Sequence, residues 1–352
     1  MKSVRRQLVF YAPNVHTGGG LVLLKELLDS WPGGDLSLFL DERVRQQLRV
    51  PSDARVNWVR PTIKSRLFGE LLLWRNSHKN VQVICFHGLP PILYSSGNVT
   101  VFLQNRNYIT KNRSSKVGLR TALRIGLELL FFRFFRHRVA QYIVQTPSMR
   151  DALSQWYSTI GGLAPGQSIR AIPFFGKIPE CTDAKIYVWD FIYIADGEAH
   201  KNHRNLIQAW EFLAEENIRP SLCLTLNGRY ADLKVHINRA IKKYSLEIYD
   251  LGEIPRDNAI KQYGKSRALI FPSQSESFGL PLIEANHLSL PILAPEMDYV
   301  RDVCIPVETF DPNSPASIAR AVKRFLGYLD APILLKPPSA FWDEVLGELG
   351  ED

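Results

Sequence analysis

The fold of this chain can be predicted from one segment, Phe271-Pro-Ser-Gln-Ser-Glu-Ser-Phe-Gly-Leu-Pro-Leu-Ile-Glu-Ala285. It starts where an apolar run predicts the end of a buried strand, and it passes through Gly279 into a predicted helix. A strand end, a glycine turn and a helix N-terminus leave backbone N–H groups that can bind an anion. Glu276 and Glu284 can accept hydrogen bonds from hydroxyl groups. Phosphate on the amides and hydroxyls on the carboxylates describe a nucleotide-sugar, although ordinary strand–turn–helix junctions also carry glycine and an acidic residue.

The same segment resembles a family signature. Glu276-Ser-Phe-Gly-Leu-Pro-Leu-Ile-Glu284 is similar to the motif of the family-4 retaining glycosyltransferases, which places two glutamates around a Phe-Gly-Leu-Pro-like core. The resemblance implies an α/β protein of GT-B architecture, with two Rossmann-like βαβ domains facing each other across a cleft. It also implies that Glu276 contacts the donor sugar and is a catalytic residue, and that Glu284 receives the ribose hydroxyls. Further donor-binding residues implied in this motif are Ser277, Phe278, Gly279 and Leu280.

Length supports two domains, because 352 residues exceed the usual size of one domain. We expect an N-terminal acceptor-side domain at 1–175, a linker at 176–185 and a donor domain at 186–340. A final helix at 341–352 is expected to cross back toward the first domain, as the resembled architecture implies.

The net charge of +8 indicates an anionic partner. Nucleic acid is not expected, because no groove-reading or base-stacking motif accompanies the basic residues. The four cysteines are far apart and fit neither a metal site nor a disulfide framework, which favours a reduced setting. No apolar run approaches the roughly 20 residues of a membrane span. We therefore expect a cytoplasmic protein, either soluble or peripheral on the inner face of the cytoplasmic membrane.

A second strand–glycine–helix pattern lies near the N-terminus. The strand predicted at Leu8–Ala12 is followed by Gly18, Gly19 and Gly20 and then by a predicted helix. Three glycines allow a ligand to approach the backbone closely. In the resembled family the equivalent loop faces the donor diphosphate and the acceptor, so the three glycines are candidate donor-binding residues. A tight turn without a ligand is the alternative.

Polar side chains follow two predicted strands of the first half. His87 follows one of them, and Gln104-Asn105-Arg106 follows the other, at a place where the resembled family commonly has a histidine. Ligands of parallel sheets bind beyond the carboxyl ends of the strands. His87 is therefore a candidate catalytic residue, although a structural role is the alternative for it and for His16. The candidates for the acceptor or phosphate side are His16, Asn105 and Arg106.

The second half contains a basic loop between a predicted strand and a predicted helix. Its Lys201-Asn202 matches a Lys-Asn of the resembled family, in which basic groups hold the donor phosphates. Asp196-Gly197 stands where Gly-Arg is usual in that family. A cation that faces a leaving diphosphate stabilises the charge that develops as the glycosidic bond breaks. Lys201 is thus a candidate catalytic residue and Asn202 a donor-binding residue, and Lys201 either holds the phosphate charge alone or shares it with His200, His203 or Arg204.

Residues 64–75 and 111–138 combine basic and large apolar side chains. A helix would place Lys116, Arg120 and Arg124 on one face. A cationic helix with exposed aromatic residues suits an anionic bilayer surface. The alternative is a buried interdomain helix with a solvated basic edge.

Three functions compete. The first is a retaining, metal-independent hexosyltransferase that needs no cofactor and extends a lipid-linked glycan of a surface polysaccharide, either capsule or the O-antigen of lipopolysaccharide. The second is a transferase that acts on a small soluble acceptor. The third is a non-catalytic relative that binds nucleotide-sugars. All three bind a nucleoside-diphosphate sugar, and they differ in the acceptor and in turnover.

Overall fold

The computed structural model describes residues 7–93, 97–109, 119–176, 178 and 187–328, with backbone alone at residue 107 and at 119–125. Within these ranges the chain forms two parallel β-sheets, each packed between helices. The prediction of an α/β fold with two βαβ halves is confirmed. Most of the expected linker and the whole of the expected C-terminal helix, 341–352, lie outside the described residues.

The first sheet has seven strands among the described residues. They are β1 (Leu8–Ala12), β2 (Leu36–Asp41), β3 (Arg55–Val59), β4 (Gln82–Cys85), β5 (Asn98–Phe102), β6 (Gln141–Val144) and β7 (Ser168–Ala171). Their spatial order is β3-β2-β1-β4-β5-β6-β7, and every pair is parallel. In the register, Phe10 of β1 pairs with Leu38 on one side and with Ile84 on the other. The central strands are continuous apolar runs because both faces of a parallel sheet are covered.

Helices connect these strands. They are α1 (Gly18–Asp29), α2 (Ile63–Asn76), α3 (Leu119–Phe135) and α4 (Pro147–Ser158). Two of them begin at side-chain caps: Thr62 accepts a hydrogen bond from the Ser65 N–H at 3.3 Å, and Thr146 accepts one from the Met149 N–H at 3.2 Å. Such caps satisfy N–H groups that a helix leaves unpaired in its first turn. No helix in the described part of the chain has the length and hydropathy needed to cross a bilayer.

The second sheet has six strands among the described residues. They are β8 (Trp189–Tyr193), β9 (Leu222–Leu224), β10 (Ile248–Asp250), β11 (Ser266–Ile270), β12 (Ile292–Pro295) and β13 (Glu308–Phe310), in the parallel spatial order β10-β9-β8-β11-β12-β13. The helices are α5 (His203–Glu215), α6 (Ala231–Tyr244), α7 (Arg256–Gly264), α8 (Leu280–His287), α9 (Asp298–Arg301) and α10 (Pro315–Phe325). Trp210 of α5 is buried at the centre of this half and packs edge-on against Phe191.

The strand order reverses between β1 and β4 in the first sheet and between β8 and β11 in the second. The loops that follow adjacent strands at such a reversal diverge and leave a crevice beyond the strand ends, which is where open α/β sheets bind ligands. The three glycines open α1, directly after the loop that follows β1, and His87 lies in the loop after β4. Those after β8 and β11 carry Lys201 and Glu276. The topology therefore brings the residues singled out in the sequence to two crevices.

The two halves share one apolar cluster. Phe278, from the second half, is 7% exposed and packs with Phe10, Phe86 and Phe102 of the first half. Phe86 and Phe102 are themselves stacked, with ring centroids 4.8 Å apart. Burying a phenylalanine side chain stabilises a fold by about 1.5–3 kcal/mol. The segment that carries the two glutamates is thus also part of the contact between the halves.

Candidate active site

Lys201 and Glu276 form an ion pair at the crevice of the second sheet. Lys201 Nζ donates to Glu276 Oε1 at 2.7 Å, and the two side chains are 18% and 11% exposed. Burial acts to lower the pKa of Lys201, but the negative charge of Glu276, with smaller contributions from Asp196 and Glu198, outweighs it and raises the pKa above its ordinary value. Lys201 therefore stays protonated at neutral pH.

Asn202 fixes the loop that presents Lys201. Its backbone adopts a left-handed conformation, φ 63°, which asparagine tolerates better than most residues. Its side-chain amide donates to the carbonyl of Pro272 at 3.0 Å and to that of Pro312 at 2.6 Å. Tyr193 donates from its hydroxyl to the carbonyl of Lys201 at 2.8 Å. Both amide hydrogens of Asn202 thus hold the loop that carries Lys201, and the expected contact between Asn202 and the donor stays a prediction.

The basic neighbours of Lys201 differ in what they can contribute. His203 is buried against Tyr193, with ring centroids 4.9 Å apart, and burial followed by the charge of Lys201 lowers its pKa to about 3. A neutral His203 cannot share phosphate charge, so that part of the sequence interpretation is not supported by the structure. His200 Nδ1 lies 3.4 Å from the Glu198 carboxylate, and the side chain of Arg204 is exposed.

The turn before α8 has the conformation that its glycine allows. Gly279 has φ +73°, a left-handed value that residues with a Cβ rarely adopt. Ser277 is half-buried beside it. The side chain of Phe278 points into the shared apolar cluster, and Leu280 packs against the same cluster. A contact between Phe278 and a donor is therefore limited to its backbone, a restriction that the sequence motif did not reveal.

Glu284 lies in a buried network that sequence reasoning missed. Its carboxylate accepts from Arg256 Nε at 2.9 Å and from the Tyr263 hydroxyl at 3.3 Å. Arg256 Nη1 also donates to Glu26 of α1 at 3.1 Å, so this arginine connects the two halves. Burial raises the pKa of Glu284, although Arg256 and Tyr263 oppose the effect. The signal that the sequence offered was a basic residue, Arg256, at the start of α7.

Two of the three glycines, Gly19 and Gly20, pack closely against other parts of the protein, whereas Gly18 is distinguished by its backbone conformation. Gly18 has φ +64° where α1 begins. A Cβ on Gly19 would lie 2.9 Å from Leu280 Cδ1, and a Cβ on Gly20 would lie 2.8 Å from Gln104 Oε1. These distances are shorter than ordinary van der Waals contact. Close packing therefore accounts for Gly19 and Gly20 without a ligand, and Gly19 meets the second half directly.

The candidate histidines occupy different surroundings. His87 packs edge-on against Tyr11, with ring centroids 5.2 Å apart, and its Nδ1 lies 3.4 Å from the Tyr11 carbonyl. Burial lowers the pKa of His87 to about 4, so its imidazole is neutral at pH 7. His16 Nδ1 lies 3.1 Å from the carbonyl of Asn14 and 3.1 Å from Arg43 Nη2. In the described part of the chain, neither histidine forms a hydrogen bond with Lys201 or Glu276.

The turn after β5 reaches across to the second half. Arg106 Nη1 donates to the carbonyl of Glu276 at 3.4 Å. The carbonyl of Asn105 accepts from the N–H of Tyr108 at 3.3 Å and closes the turn. Among the described residues, no group of three or more His, Cys, Asp or Glu side chains is placed to hold a metal ion.

The second half of the chain matches a known family model. Residues 187–327 match the model described as glycosyl transferases group 1. The serotype-specific mannosyltransferase WbdA of Escherichia coli is 31% identical over 138 residues, which are 39% of this chain and 17% of that protein. The chain thus spans about a sixth of the length of this curated relative.

Solved structures match nearly the whole chain. Anabaena HepE, in complex with UDP and glucose, gives a TM-score of 0.64 at 14% identity and covers 91% of this chain and 90% of its own. The sucrose-phosphate synthase of Thermosynechococcus elongatus gives a TM-score of 0.65 at 14% identity, covering 92% and 90%. The expected GT-B fold is confirmed, and the similarity to the glycosyl transferases group 1 model lies in residues 187–327.

Proposed function

We propose that this chain is a retaining, metal-independent glycosyltransferase that moves a hexose from a nucleoside-diphosphate sugar to a lipid-linked glycan in surface-polysaccharide synthesis. The observation that carries the proposal is the Lys201–Glu276 pair, 2.7 Å apart, at the strand-order reversal of the second sheet. The glycosyl transferases group 1 match covers both residues. Similarity to WbdA makes mannose the first sugar to test.

The proposed chemistry assigns separate tasks to the pair. Lys201 faces the diphosphate and stabilises the negative charge that grows on it as the glycosidic bond breaks. Glu276 orients Lys201 through Oε1 and binds hydroxyls of the donor sugar, without acting as a nucleophile on the anomeric carbon. The leaving phosphate takes the proton of the acceptor hydroxyl on the same face of the sugar. Glu284 binds the ribose hydroxyls beside Arg256.

Two assays test this proposal. A thermal-shift panel of UDP-, GDP-, ADP- and CMP-linked sugars identifies the donor, because a ligand that binds the folded state raises the melting temperature. Turnover is then measured with lipid-linked and with soluble glycan acceptors. We expect Glu276→Ala and Lys201→Ala each to lower the rate by about a hundredfold or more. Near-normal turnover in both variants would refute the assignment of the site. Donor binding without turnover on any acceptor supports the non-catalytic alternative.

The exposed surface of the first half favours a lipid-linked acceptor. One stripe of α2 and one of α3 present large apolar side chains to solvent, and we call these two stripes and the adjoining loop the apolar face. Its exposed residues are Ile63, Leu67, Phe68, Leu71, Trp74, Ile92, Leu93, Leu127, Leu130, Phe131 and Phe134. The backbone N–H of Ile92 donates to Glu70 of α2 at 2.8 Å, and the carbonyl of Ile92 accepts from Arg138, which follows α3. The loop therefore ties the two helices together.

We propose that the apolar face rests on an anionic bilayer. Lys64, Arg75 and Arg133 are exposed on the same two helices, so positive charge accompanies the apolar side chains. That combination suits the interface of an anionic membrane, where apolar side chains enter the acyl boundary and cations meet headgroups. Lys116 lies outside the described residues, as do the side chains of Arg120 and Arg124.

Sedimentation with vesicles of anionic phospholipid tests the membrane proposal. We expect the double variant Leu130→Glu/Phe134→Glu to lose binding, because the two side chains are 64% and 67% exposed and their replacement leaves the core intact. The matched control Val235→Glu/Tyr249→Glu alters exposed residues of the second half and is expected to sediment like the wild type. Unchanged binding by the first variant overturns the proposal. A stable dimer of the wild type that the first variant abolishes also overturns the proposal, because a second copy of the chain then covers the apolar face.

A further inference from the structure

Three carboxylates act on Lys201 at the donor side of the cleft. Lys201 is bound to Glu276 at 2.7 Å, and Asp196 and Glu198 lie in the same loop as Lys201. His203 is neutral at physiological pH, because burial lowers its pKa to about 3. A diphosphate adds negative charge to this place, and like charges at short range cost free energy unless another cation is near. A second cation near Lys201 would therefore strengthen the binding of a diphosphate.

Arg106, from the opposite half, is held on a rigid turn. It begins the single helical turn Arg106–Tyr108 after β5, and its carbonyl accepts from the N–H of Ile109 at 3.0 Å. Tyr108 is buried and stacks on Phe132, with ring centroids 5.8 Å apart. The backbone that carries Arg106 is thus fixed by a buried aromatic contact.

The side chain of Arg106 reaches the motif that contains the candidate catalytic glutamate. Its Nη1 contacts the carbonyl of Glu276 at 3.4 Å. Its positive charge opposes the rise in the pKa of Tyr299 that burial causes. Tyr299 donates to the carbonyl of Ser273 at 2.5 Å, in the same loop between β11 and α8. The guanidinium therefore lies against the loop whose glutamate holds Lys201.

We propose that Arg106 binds the donor diphosphate together with Lys201, so that each half of the protein supplies one cation. This inference rests on the proposed function and names a residue for its phosphate site. A guanidinium presents five N–H donors in a planar fork and can bind a phosphate through two of them. One consequence is that the diphosphate site is complete only when the two halves are in contact.

Isothermal titration calorimetry tests the proposed role of Arg106. The titrants are the nucleoside diphosphate of the donor that the thermal-shift panel identifies and the corresponding nucleoside. We expect Arg106→Ala to weaken diphosphate binding by about ten- to a hundredfold, the usual effect of losing hydrogen bonds to a charged group. Nucleoside binding should be unchanged. Arg106→Lys should lose less, because it keeps the charge but not the fork. Arg133→Ala, an exposed arginine on α3, serves as the matched control and should bind like the wild type.

The outcomes separate this inference from the proposed function. Wild-type levels of diphosphate binding in Arg106→Ala overturn the role of Arg106 and leave the proposed function standing. Equal weakening of nucleoside and diphosphate in that variant shows a structural role and also overturns the inference. A wild-type protein that binds none of the diphosphates overturns both. Melting curves of all variants confirm that they are folded, and Arg106→Lys provides the comparison if the alanine variant is unstable.

Discussion

Removing the charge of Lys201 and of its partner, separately and together, distinguishes the structural from the catalytic value of the ion pair. The variants are Lys201→Met, Glu276→Gln and the double variant. At 2.7 Å the gross attraction between the charges is about 6 kcal/mol for an effective dielectric constant of about 20, and the desolvation of both groups offsets much of it. We expect a net coupling of about 1–3 kcal/mol, a normal range for contacting residues.

Each single change leaves a largely buried charge without its partner. Lys201→Met leaves Glu276, 11% exposed, without its cation, and it removes the positive charge on which Asp196 and Glu198 also act. For a domain of 150–250 residues, a loss of about 2 kcal/mol lowers the melting temperature by roughly 4–8 °C. The double variant removes both charges, so much of that loss should be recovered. Calorimetry at pH 7 of the wild type, the two single variants and the double variant completes a double-mutant cycle, which gives the coupling free energy between Lys201 and Glu276.

Turnover should not recover with stability. Lys201→Met and the double variant are both expected to lose about a hundredfold or more in rate, because the charge that we propose to face the diphosphate is absent from both. A double variant that regains activity along with stability would show that Lys201 acts only through packing and ion pairing. Strictly additive melting-temperature changes would show that the 2.7 Å contact contributes nothing in solution.

Further expectations follow from buried groups and close contacts elsewhere in the second half. His203 has its pKa lowered to about 3 by burial, so folding stability falls as the pH drops from about 6.5 toward 3, and His203→Phe should flatten that part of an acid-unfolding curve. Arg256→Met leaves the buried carboxylate of Glu284 without its cation and is expected to raise the pKa of Glu284 further and to destabilise the fold by about 3 kcal/mol, measured by urea unfolding at pH 7 with Arg256→Lys as the control. Gly197→Ala places a Cβ against the ring of Tyr230, so we expect a lower melting temperature that Gly197→Ala/Tyr230→Ala recovers in part; an unchanged melting temperature in Gly197→Ala contradicts the packing.

Much of the architecture could be predicted because strands of a covered parallel sheet are short apolar runs. Leu8–Ala12 was predicted with the same bounds that the structure gives β1. The resemblance at Glu276–Glu284 predicted the GT-B fold and drew attention to Lys201, 75 positions away from Glu276 in sequence. The parallel topology explains why these residues meet, since β8 and β11 are neighbours at the reversal of strand order.

Long-range side-chain contacts could not be predicted in the same way. Arg256 reaches Glu26 across 230 positions of sequence, and no local pattern encodes that pairing. The basic loop suggested that His203 is a cation, but burial depends on how α5 packs against Tyr193, which only the tertiary structure determines. Phe278 was expected at the donor, and its direction into the first half depends likewise on how the two halves meet.

The position of Phe278 has a consequence for protein engineering. Because this side chain completes an apolar cluster whose other buried members belong to the first half, the two halves are not independent modules. Replacing the second half with that of another protein of this fold also replaces one core residue of the first half, even though the chain junction lies elsewhere. A chimera that exchanges the second half therefore needs a matching aromatic residue at position 278, or a repacked cluster around Phe10, Phe86 and Phe102.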